Sequence, residues 1–400
     1  MSVRSPIDLH GLAWFGFASA LLCGALSDLS ASDHNWPHLR GPNYNSHSDE
    51  TELLESWPAD GPPVLWVQDL GQGYSGFCCV ENRIYTQMQT VTGQYVVCLD
   101  ADTGETLWEH RYGLPYEALG IYPGPRSTPT WSNGRLYFAG PMGLIRCLNA
   151  QDGKPIWSVN VKEKYDGKGT GFGYASCPLI DSGMVILPVG GKGASIVALD
   201  ADDGSTVWKS GDAHSSYCSA LPITFENERL VIAFLENSFA CLELKTGRML
   251  WTKTYSQGYD EHAAMPLYEE PNLVLSFPFK GGSTMYRLER KESATGDDDA
   301  WTIVGKEVWH SRKLSNDVAS RVLVDGHIYG FDLRDAQSRA NRPSRGQFKC
   351  LDLETGEVLW ASDATGHSSV IAADGKLILF NDRGEVILIR ARPDRYEELA

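Results

Sequence analysis

The cysteines and histidines are the residues of this 400-residue chain whose types and spacing could support chemistry. Cys78 and Cys79 are adjacent in "GFCCVENRIY", so they form either a vicinal disulfide or two core thiols on opposite faces of one strand. His214, His262 and His367 lie far apart, and their spacing matches no metal-binding motif. The acidic turns "DADTG" and "DADDG" lack the terminal glutamate of a calcium loop. We therefore expect hairpin turns there and no metal site.

The overall composition favours short strands joined by tight turns. The chain has 40 glycines, 17 tyrosines and 12 tryptophans, which is typical of an all-β protein. Its formal net charge is −16, and it has no long basic cluster. An acidic surface of this kind does not attract phosphate backbones or anionic lipids. We therefore expect no nucleic-acid partner.

The first 33 residues differ from the rest and read as a secretory signal peptide. Arg4 precedes the apolar run 11–26, which is shorter than an ordinary membrane span, and small residues follow at 30–32. An uncleaved N-terminal anchor and lipid attachment at Cys23 are the alternatives. We expect an exported protein of the periplasm or cell envelope that has no membrane span once the signal is removed. Residues 34–61 then form a lead-in segment, and residues 62–400 form a single domain.

A repeat that ends in tryptophan organises that domain. Its members, separated by 42 to 58 residues, are Trp66, Trp108, Trp157, Trp208, Trp251, Trp309 and Trp360. A cysteine or alanine lies ten residues before five of them: Cys98, Cys147, Ala198, Cys241 and Cys350. A position shared by cysteine and alanine indicates a small buried core site. We expect these four cysteines to be reduced.

Each repeat also contains a second hairpin signal, in which a turn pair interrupts an apolar strand. The copies are "ENRIYT", "SNGRLYF", "DSGMVIL", "ENERLVI", "EPNLVLS", "VDGHIYG" and "ADGKLIL". Two hairpins make a four-stranded unit, and units of 40 to 50 residues that pack radially predict a β-propeller with tryptophans between its blades. Either Trp66 completes the seventh blade, or the tail "ILIRARPDRYEELA" does so and Trp66 belongs to an incomplete eighth.

The thirteen-residue hairpin, as in "VVCLDADTGETLW", resembles the tryptophan-docking repeat of quinoprotein propellers over about residues 36–400. That family includes pyrroloquinoline-quinone-dependent alcohol dehydrogenases and BamB-type outer-membrane assembly lipoproteins. The resemblance implies a propeller, typically eight-bladed. It also implies one of two functions, a non-catalytic protein-interaction scaffold without a cofactor or a dehydrogenase that binds pyrroloquinoline quinone and calcium at the channel mouth. The acid and asparagine calcium ligands of the dehydrogenases are not found at matching positions.

The loops that lead into the innermost strands carry large polar residues, about one in each blade. This candidate channel-mouth surface consists of Tyr74, Arg126, Tyr174, His214, Tyr217, His262, Asn316 and His367, with Asp260 and Arg321 close by. An acid-rich insertion at 291–304 is expected to form an extended surface hairpin. We expect an exported, monomeric scaffold with a protein partner; the alternative is the quinone-dependent oxidoreductase.

Overall fold

Antiparallel four-stranded sheets make up the protein. The computed structural model describes residues 35–58, 61–120, 122–256, 262–292, 301–335 and 345–400. The expected signal peptide, with Cys23, lies outside these residues. The described residues form six four-stranded sheets, one three-stranded sheet and a two-stranded ribbon. Each larger sheet is one blade, and the predicted β-propeller is confirmed.

The first three blades lie in chain order. Blade 1 contains β1 (Cys78–Val80), β2 (Arg83–Thr90), β3 (Gly93–Asp100) and β4 (Thr106–Gly113), and the ribbon β5 (Glu117–Ala118) and β6 (Tyr122–Pro123) follows it. Blade 2 contains β7 (Thr130–Ser132), β8 (Arg135–Ala139), β9 (Leu144–Asn149) and β10 (Pro155–Asn160), and the short helix α1 (Val161–Tyr165) follows. Blade 3 contains β11 (Leu179–Asp181), β12 (Met184–Gly191), β13 (Ala194–Asp200) and β14 (Thr206–Ser210).

The remaining four blades continue in the same order. Blade 4 contains β15 (Leu221–Phe225), β16 (Glu228–Phe234), β17 (Ser238–Glu243) and β18 (Met249–Thr254). Blade 5 contains β19 (Leu267–Glu269), β20 (Asn272–Phe277), β21 (Gly282–Glu292) and β22 (Trp301–Ser311). Blade 6 contains β23 (Val322–Val324), β24 (His327–Asp335), β25 (Arg345–Asp352) and β26 (Val358–Ser362), and blade 7 contains β27 (Ser368–Ala373), β28 (Lys376–Asn381) and β29 (Val386–Arg390). In the described part of the chain, no helix has the length and apolar character needed to cross a membrane.

The motif tryptophans lie between blades, as their spacing predicts. The indole of Trp157 packs on Gly204 of the next blade, and its Nε1 donates to the carbonyl of Ala201 at 2.9 Å. The same hydrogen bond to the next blade is made by Trp66, Trp108, Trp208, Trp309 and Trp360. The ring of Trp251 packs on Gly305. Each tryptophan therefore ties its outer strand to the turn of the following blade.

The small residue ten positions before the tryptophan faces it across the two outer strands. Cys98 pairs with Trp108, and Ala198 pairs with Trp208. A β-bulge follows each pair towards the turn. The extra residue of the bulge allows two residues that are ten positions apart in the sequence to lie directly opposite each other. The small side chain makes room for the neighbouring indole in the core. The prediction of a small buried core site is confirmed, since these residues are buried.

The predicted surface hairpin of the insertion is confirmed where the structure describes it. β21 and β22 pair out to Glu292 and Trp301, and residues 293–300 lie outside the described residues. The Trp301 ring packs against the guanidinium groups of Arg248 and Arg290, at 5.4 and 4.4 Å from their carbon atoms. The base of the hairpin is thus fixed to the blade body.

Residues 36–48 cross the central channel, which the lead-in prediction did not include. Trp36 pairs with Cys79 in blade 1, and the Pro37 carbonyl accepts from Trp131 N in blade 2. At the other end of the segment, His47 pairs with Ala372 in blade 7. We call residues 36–48 the channel floor. Between its two ends the channel floor consists of turns, and backbone hydrogen bonds to the inner strands hold both ends in place. The described residues from 35 onward belong to one compact unit, so this unit begins before residue 62.

The seventh blade is completed by the C-terminal tail. Leu399 N donates to Leu388 O at 2.8 Å, and Arg390 N donates to Glu397 O at 3.0 Å, so residues 397–400 lie beside β29. Trp66 instead packs on Gly104 of blade 1. Of the two arrangements that the sequence left open, the structure has the one in which the tail completes blade 7, and the segment that carries Trp66 lies outside the seven blades.

Candidate functional site

A cavity of about 750 Å³ lies on the channel axis above the channel floor. Trp36, Leu39 and Arg40 line it from the floor. Loops that enter the blades and the inner strand of blade 7 supply further lining residues, which include Tyr74, Phe77, Arg126, Thr128, Phe172, Cys177, Tyr217, Ser219, Asp317, Val318, Ser320 and Ile371. Inner strands converge at the axis of a propeller, so side chains from distant repeats meet here. The cavity is the candidate binding site of this protein.

Arg126 is the central residue of the cavity mouth. Its guanidinium carbon lies 4.9 Å from the ring centre of Tyr74 and 5.8 Å from that of Phe172. The guanidinium also donates to the backbone carbonyls of Gly124 at 2.8 Å and Tyr122 at 3.2 Å, which fixes its orientation. A guanidinium held between aromatic faces is a rigid group that presents both an apolar surface and hydrogen-bond donors.

Aromatic rings extend this mouth on the far side of Arg126. The Phe172 ring contacts Tyr122 edge-on at 5.4 Å and Tyr217 at 5.9 Å. Together with Arg126, these residues form the surface that we call the mouth cluster, namely Tyr74, Tyr122, Arg126, Phe172 and Tyr217. The residues lie at the entries of blades 1 to 4, so the packing of successive blades around the axis brings them together.

Two buried arginines lie below the cavity. Arg40 donates to Ser46 Oγ, to the Pro266 carbonyl and to the Arg321 carbonyl at 2.8 Å. Arg321 donates to Asn316 Oδ1 and Val274 O, and in the described residues its Nε has no acceptor. Burial lowers the pKa of Arg40 to about 10, and burial next to Arg40 lowers the pKa of Arg321 to about 9. The base of the channel is thus cationic.

Three of the predicted mouth residues line the cavity. Tyr74, Arg126 and Tyr217 come from blades 1, 2 and 4 and meet at its opening. The sequence pointed to them because each precedes an innermost strand. Phe172 was missed, although it also precedes an innermost strand, because a lone phenylalanine in a glycine-rich loop carries no polar signal.

Three other predicted mouth residues are buried, which corrects the expectation that they face the opening. Tyr174 is buried between blades 2 and 3, and its hydroxyl donates a hydrogen bond to the Val189 carbonyl at 2.9 Å. The His262 ring packs against Phe234, with ring centres 4.3 Å apart. Asn316 is buried and donates to Phe331 O. These side chains pack between blades because the loops fold back over the strand ends.

The last two predicted mouth residues lie at the periphery, outside the cavity lining. The exposed His214 ring lies with its Nδ1 3.0 Å from a carboxylate oxygen of Glu236. His367 stacks on Phe331 with ring centres 4.9 Å apart, and burial lowers its pKa. Of the two neighbours noted in the sequence, Arg321 is buried, and Asp260 lies outside the described residues.

The cysteines of the described residues are free thiols. Cys78 is buried against blade 2, and Cys79 is half-buried on the opposite face of β1. This arrangement is the core-thiol alternative and not the vicinal disulfide. Burial raises the pKa values of both thiols, which keeps them protonated.

The acidic turns have a structural role. Asp100 Oδ1 accepts hydrogen bonds from the backbone N–H groups of Asp102 and Thr103 at 3.0 and 2.9 Å. The Thr103 backbone bond is the largest cause that lowers the pKa of Asp100. Asp352 makes the same turn with Thr355. The carboxylates thus shape the outer hairpins, as expected from the sequence.

The cavity donors do not fit a calcium ion. Calcium takes about six to eight oxygen ligands, several of them carboxylates, and the described cavity lining has one carboxylate, Asp317. The buried charge of Arg40 at the cavity base also opposes a cation. In the described part of the chain, no group of three or more acidic, cysteine or histidine residues is placed to hold a metal.

Comparison with known proteins identifies relatives of two kinds. A family model described as outer membrane protein assembly factor BamB matches residues 92–262 and 192–294, which together span just over half of the chain. The BamB protein of Yersinia pestis is 22% identical over 280 residues, or 66% of this chain and 63% of that protein. The dehydrogenase subunit of the quinone alcohol dehydrogenase of Komagataeibacter europaeus is 30% identical over 317 residues, or 74% of this chain and 41% of that protein. The chain thus spans less than two thirds of the length of either relative.

A solved structure supports the fold. The crystal structure of BamB from Moraxella catarrhalis matches with a TM-score of 0.53 and 14% identity, over 82% of this chain and 86% of that one. At this identity the match concerns the architecture of the blades, and it carries no information on ligands.

Proposed function

The chain belongs to the family described as outer membrane protein assembly factor BamB, and from this premise we propose that it is an exported, non-catalytic propeller that serves as a protein-interaction scaffold. The proposal places it in the periplasm or cell envelope and gives it a protein partner.

The mouth cluster is the observation that carries this proposal. Tyrosine and arginine dominate the energetic hot spots of protein interfaces, where they are surrounded by apolar groups that exclude water. Arg126 offers donors to carbonyl or carboxylate oxygens of a partner, while Tyr74 and Phe172 offer apolar faces beside it. The carbonyls of Gly124 and Tyr122 already hold the Arg126 side chain in one orientation. Binding of a partner therefore costs little side-chain entropy at Arg126.

Site-specific photo-crosslinking tests the proposal. A photoreactive phenylalanine analogue at Tyr74 is expected to crosslink, in intact cells, to a component of the outer-membrane assembly machinery. Arg126→Ala should reduce that crosslink roughly tenfold or more, as for a hot-spot residue. The matched control is Arg111→Ala, which removes a guanidinium on the outer strand of blade 1 that donates to the Thr92 carbonyl, away from the cavity lining. Equal loss in both variants, or in neither, would rule out the mouth cluster as the partner site.

A quinone-dependent oxidoreductase is the second candidate, and the Komagataeibacter relative favours it. The single carboxylate of the cavity lining, Asp317, speaks against a calcium-held quinone. Equilibrium dialysis with pyrroloquinoline quinone and calcium, followed by absorbance, separates the two functions. Tight stoichiometric binding that requires calcium would overturn the scaffold proposal, and no binding above background would support it.

A further inference from the structure

In the described residues, the segment that carries Trp66 is attached to blade 1 by the side chain of Trp66. Trp66 Nε1 donates to Ala101 O at 2.9 Å, and its ring covers Gly104. We call residues 63–69 the pinned segment. Within the described residues, no backbone N–H or C=O group of the pinned segment has a hydrogen-bond partner, and none of it is assigned to a β-strand. A segment with a row of unpaired backbone groups can serve as a template for another strand.

The side chains beside Trp66 are much more exposed than those beside the other motif tryptophans. Leu65 is 83% exposed, whereas its counterparts Leu107, Val207 and Leu359 in paired outer strands are 43 to 47% exposed. Val64 and Val67 are likewise 76% and 82% exposed. The excess indicates that a neighbouring strand, present in the other blades, is missing here.

The opposite wall of this gap is an apolar face of blade 7. Val370, Leu379 and Ile387 point towards blade 6 and are buried. On the other face of the same sheet, Phe380 is 59% exposed, and Ile371 and Val386 are also exposed. Ile371 from blade 7 and Phe77 from blade 1 both line the central cavity. A position for a further sheet thus lies between blades 7 and 1.

We propose that a β-strand from a partner polypeptide pairs with the pinned segment and occupies this eighth-blade position. The inference rests on the proposed scaffold function and specifies its partner. Only another polypeptide backbone supplies a regular row of donors and acceptors to residues 63–69, so the occupant is a strand and not a lipid or a small molecule.

The other blades define which strand fits. The residue opposite the tryptophan is cysteine in β3 and β17 and alanine in β13. The partner strand therefore carries a small residue opposite Trp66. A second copy that pairs through the same residues would place tryptophan against tryptophan, which this register does not accommodate.

The charge around the gap also selects the partner. Residues 41–82 contain no lysine or arginine, and Glu50, Glu52 and Asp69 are exposed there. With a net charge of −16, the protein repels an acidic strand and another copy of itself. The partner strand that matches both the charge and the register has basic residues at its ends, apolar residues between them and a small residue at its centre.

A synthetic peptide tests this inference on the purified full chain. The probe is a nine-residue peptide of alternating valine and threonine, with alanine at its centre and lysine at both ends. The matched control has the same side chains and N-methyl groups on alternate backbone nitrogens, which removes strand pairing and keeps the apolar contacts. We expect the control, and a peptide with central tryptophan, to bind at least tenfold more weakly. Equal binding of the probe and the N-methylated control would overturn the inference.

Hydrogen exchange locates the pairing. In the free protein, amides of residues 64–69 should exchange rapidly, whereas those of the paired outer strand β10 (Pro155–Asn160) should be protected. The probe peptide should slow exchange at residues 64–69 at least tenfold. Protection equal to that of β10 before the peptide is added would show that the pinned segment is already paired and would overturn the inference. If the peptide binds as expected but no crosslink forms from Tyr74 in cells, the proposed function is rejected and the strand-pairing inference is not.

Discussion

Trp208 lies against the backbone of Gly247 in the next blade, so closely that a Cβ on Gly247 would come within 2.4 Å of the indole. The backbone of Gly247 has a φ of +71°, and Trp208 Nε1 donates to the nearby Leu244 carbonyl at 3.0 Å. The glycine thus meets two requirements at once, a left-handed turn and an indole against its backbone. This contact explains why the tryptophan and the glycine recur together along the chain.

Substitution of Gly247 by alanine separates these two requirements. Gly134 has a similar φ of +73°, but a Cβ added there meets no atom within 4 Å, so Gly134→Ala is the matched control. The control should cost about 1 to 2 kcal/mol for the left-handed backbone. Gly247→Ala should cost roughly 1 to 3 kcal/mol more because the indole must move. Urea unfolding of the two variants measures the difference, and equal losses would contradict the docking role of Trp208.

Removal of the indole itself should be more damaging. Trp208→Ala is expected to lower the free energy of unfolding by about 3 to 5 kcal/mol, because the side chain is buried between two blades and the cavity cannot close. Trp208→Phe keeps part of the packing and loses the hydrogen bond to Leu244, so it should cost less. A melting temperature unchanged by the alanine variant would show that the blades do not depend on this contact.

The blades could be predicted because their determinants are local and repeated. The hairpin from Cys98 to Trp108 contains its own turn, bulge and core pair, and the same hairpin recurs in later blades. Seven copies of one pattern average out the deviations of any one copy. The position of the tryptophan between blades follows from the same pattern.

The channel could not be predicted in the same way, because its residues meet only after the blades close. Tyr74 and Tyr217 were found from their place before inner strands, but Tyr174 has the same place and folds into the core. The channel floor depends on backbone bonds such as Trp36 to Cys79, which leave no periodic signal in sequence. Polar residues before the inner strands therefore predicted where the channel mouth lies, but they did not predict which side chains line it.

The channel floor should make stability depend on pH. His38 is buried and stacks on Tyr44 with ring centres 3.7 Å apart, and burial lowers its pKa from 6.5 to about 4. The unfolded chain then takes up a proton that the folded one does not, so stability is complete above about pH 6.5 and is lost as the pH falls towards 4. Between pH 7 and 5 the loss from this group should be about 2 kcal/mol.

His38→Phe keeps the stacking partner of Tyr44 and removes the titration. Urea unfolding at pH 7 and pH 5 should show a smaller loss in this variant than in the unmodified protein. The circular dichroism spectra of the two proteins should match at pH 7. An identical loss in both proteins would mean that other groups cause the acid sensitivity.

The thiols give a direct check on the core. Cys79 is the one half-buried cysteine among the eight that the structure describes, and the rest are buried. A thiol reagent added to the native protein without reductant should modify Cys79 first among these eight, and denaturant should release the others. Cys79→Ser should remove the early reaction. Fewer than eight reactive thiols in denaturant would reveal a disulfide and contradict the arrangement of blades.

The buried ion pair of blade 6 should be worth much more than an exposed one. Lys349 Nζ donates to Asp332 Oδ2 at 2.6 Å and to Lys313 O at 2.8 Å, and the two paired side chains are almost fully buried. Asp332 Oδ1 also accepts from Ser315 N at 2.8 Å, and the partly exposed Arg334 guanidinium contacts Oδ2. Asp332→Asn would leave the buried Lys349 ammonium without its charge partner. Because an uncompensated buried charge is costly, we expect a loss of about 3 to 5 kcal/mol.

The same substitution at an exposed pair is the control for that prediction. Asp202 lies 2.7 Å from Arg135 and is 83% exposed, so Asp202→Asn should cost less than about 1 kcal/mol. Urea unfolding of both variants at pH 7 measures the contrast. High salt should change the Asp332→Asn loss less than the Asp202→Asn loss, because mobile ions screen a buried pair much less than an exposed one. Similar losses in the two variants would show that Asp332 and Lys349 are hydrated in solution.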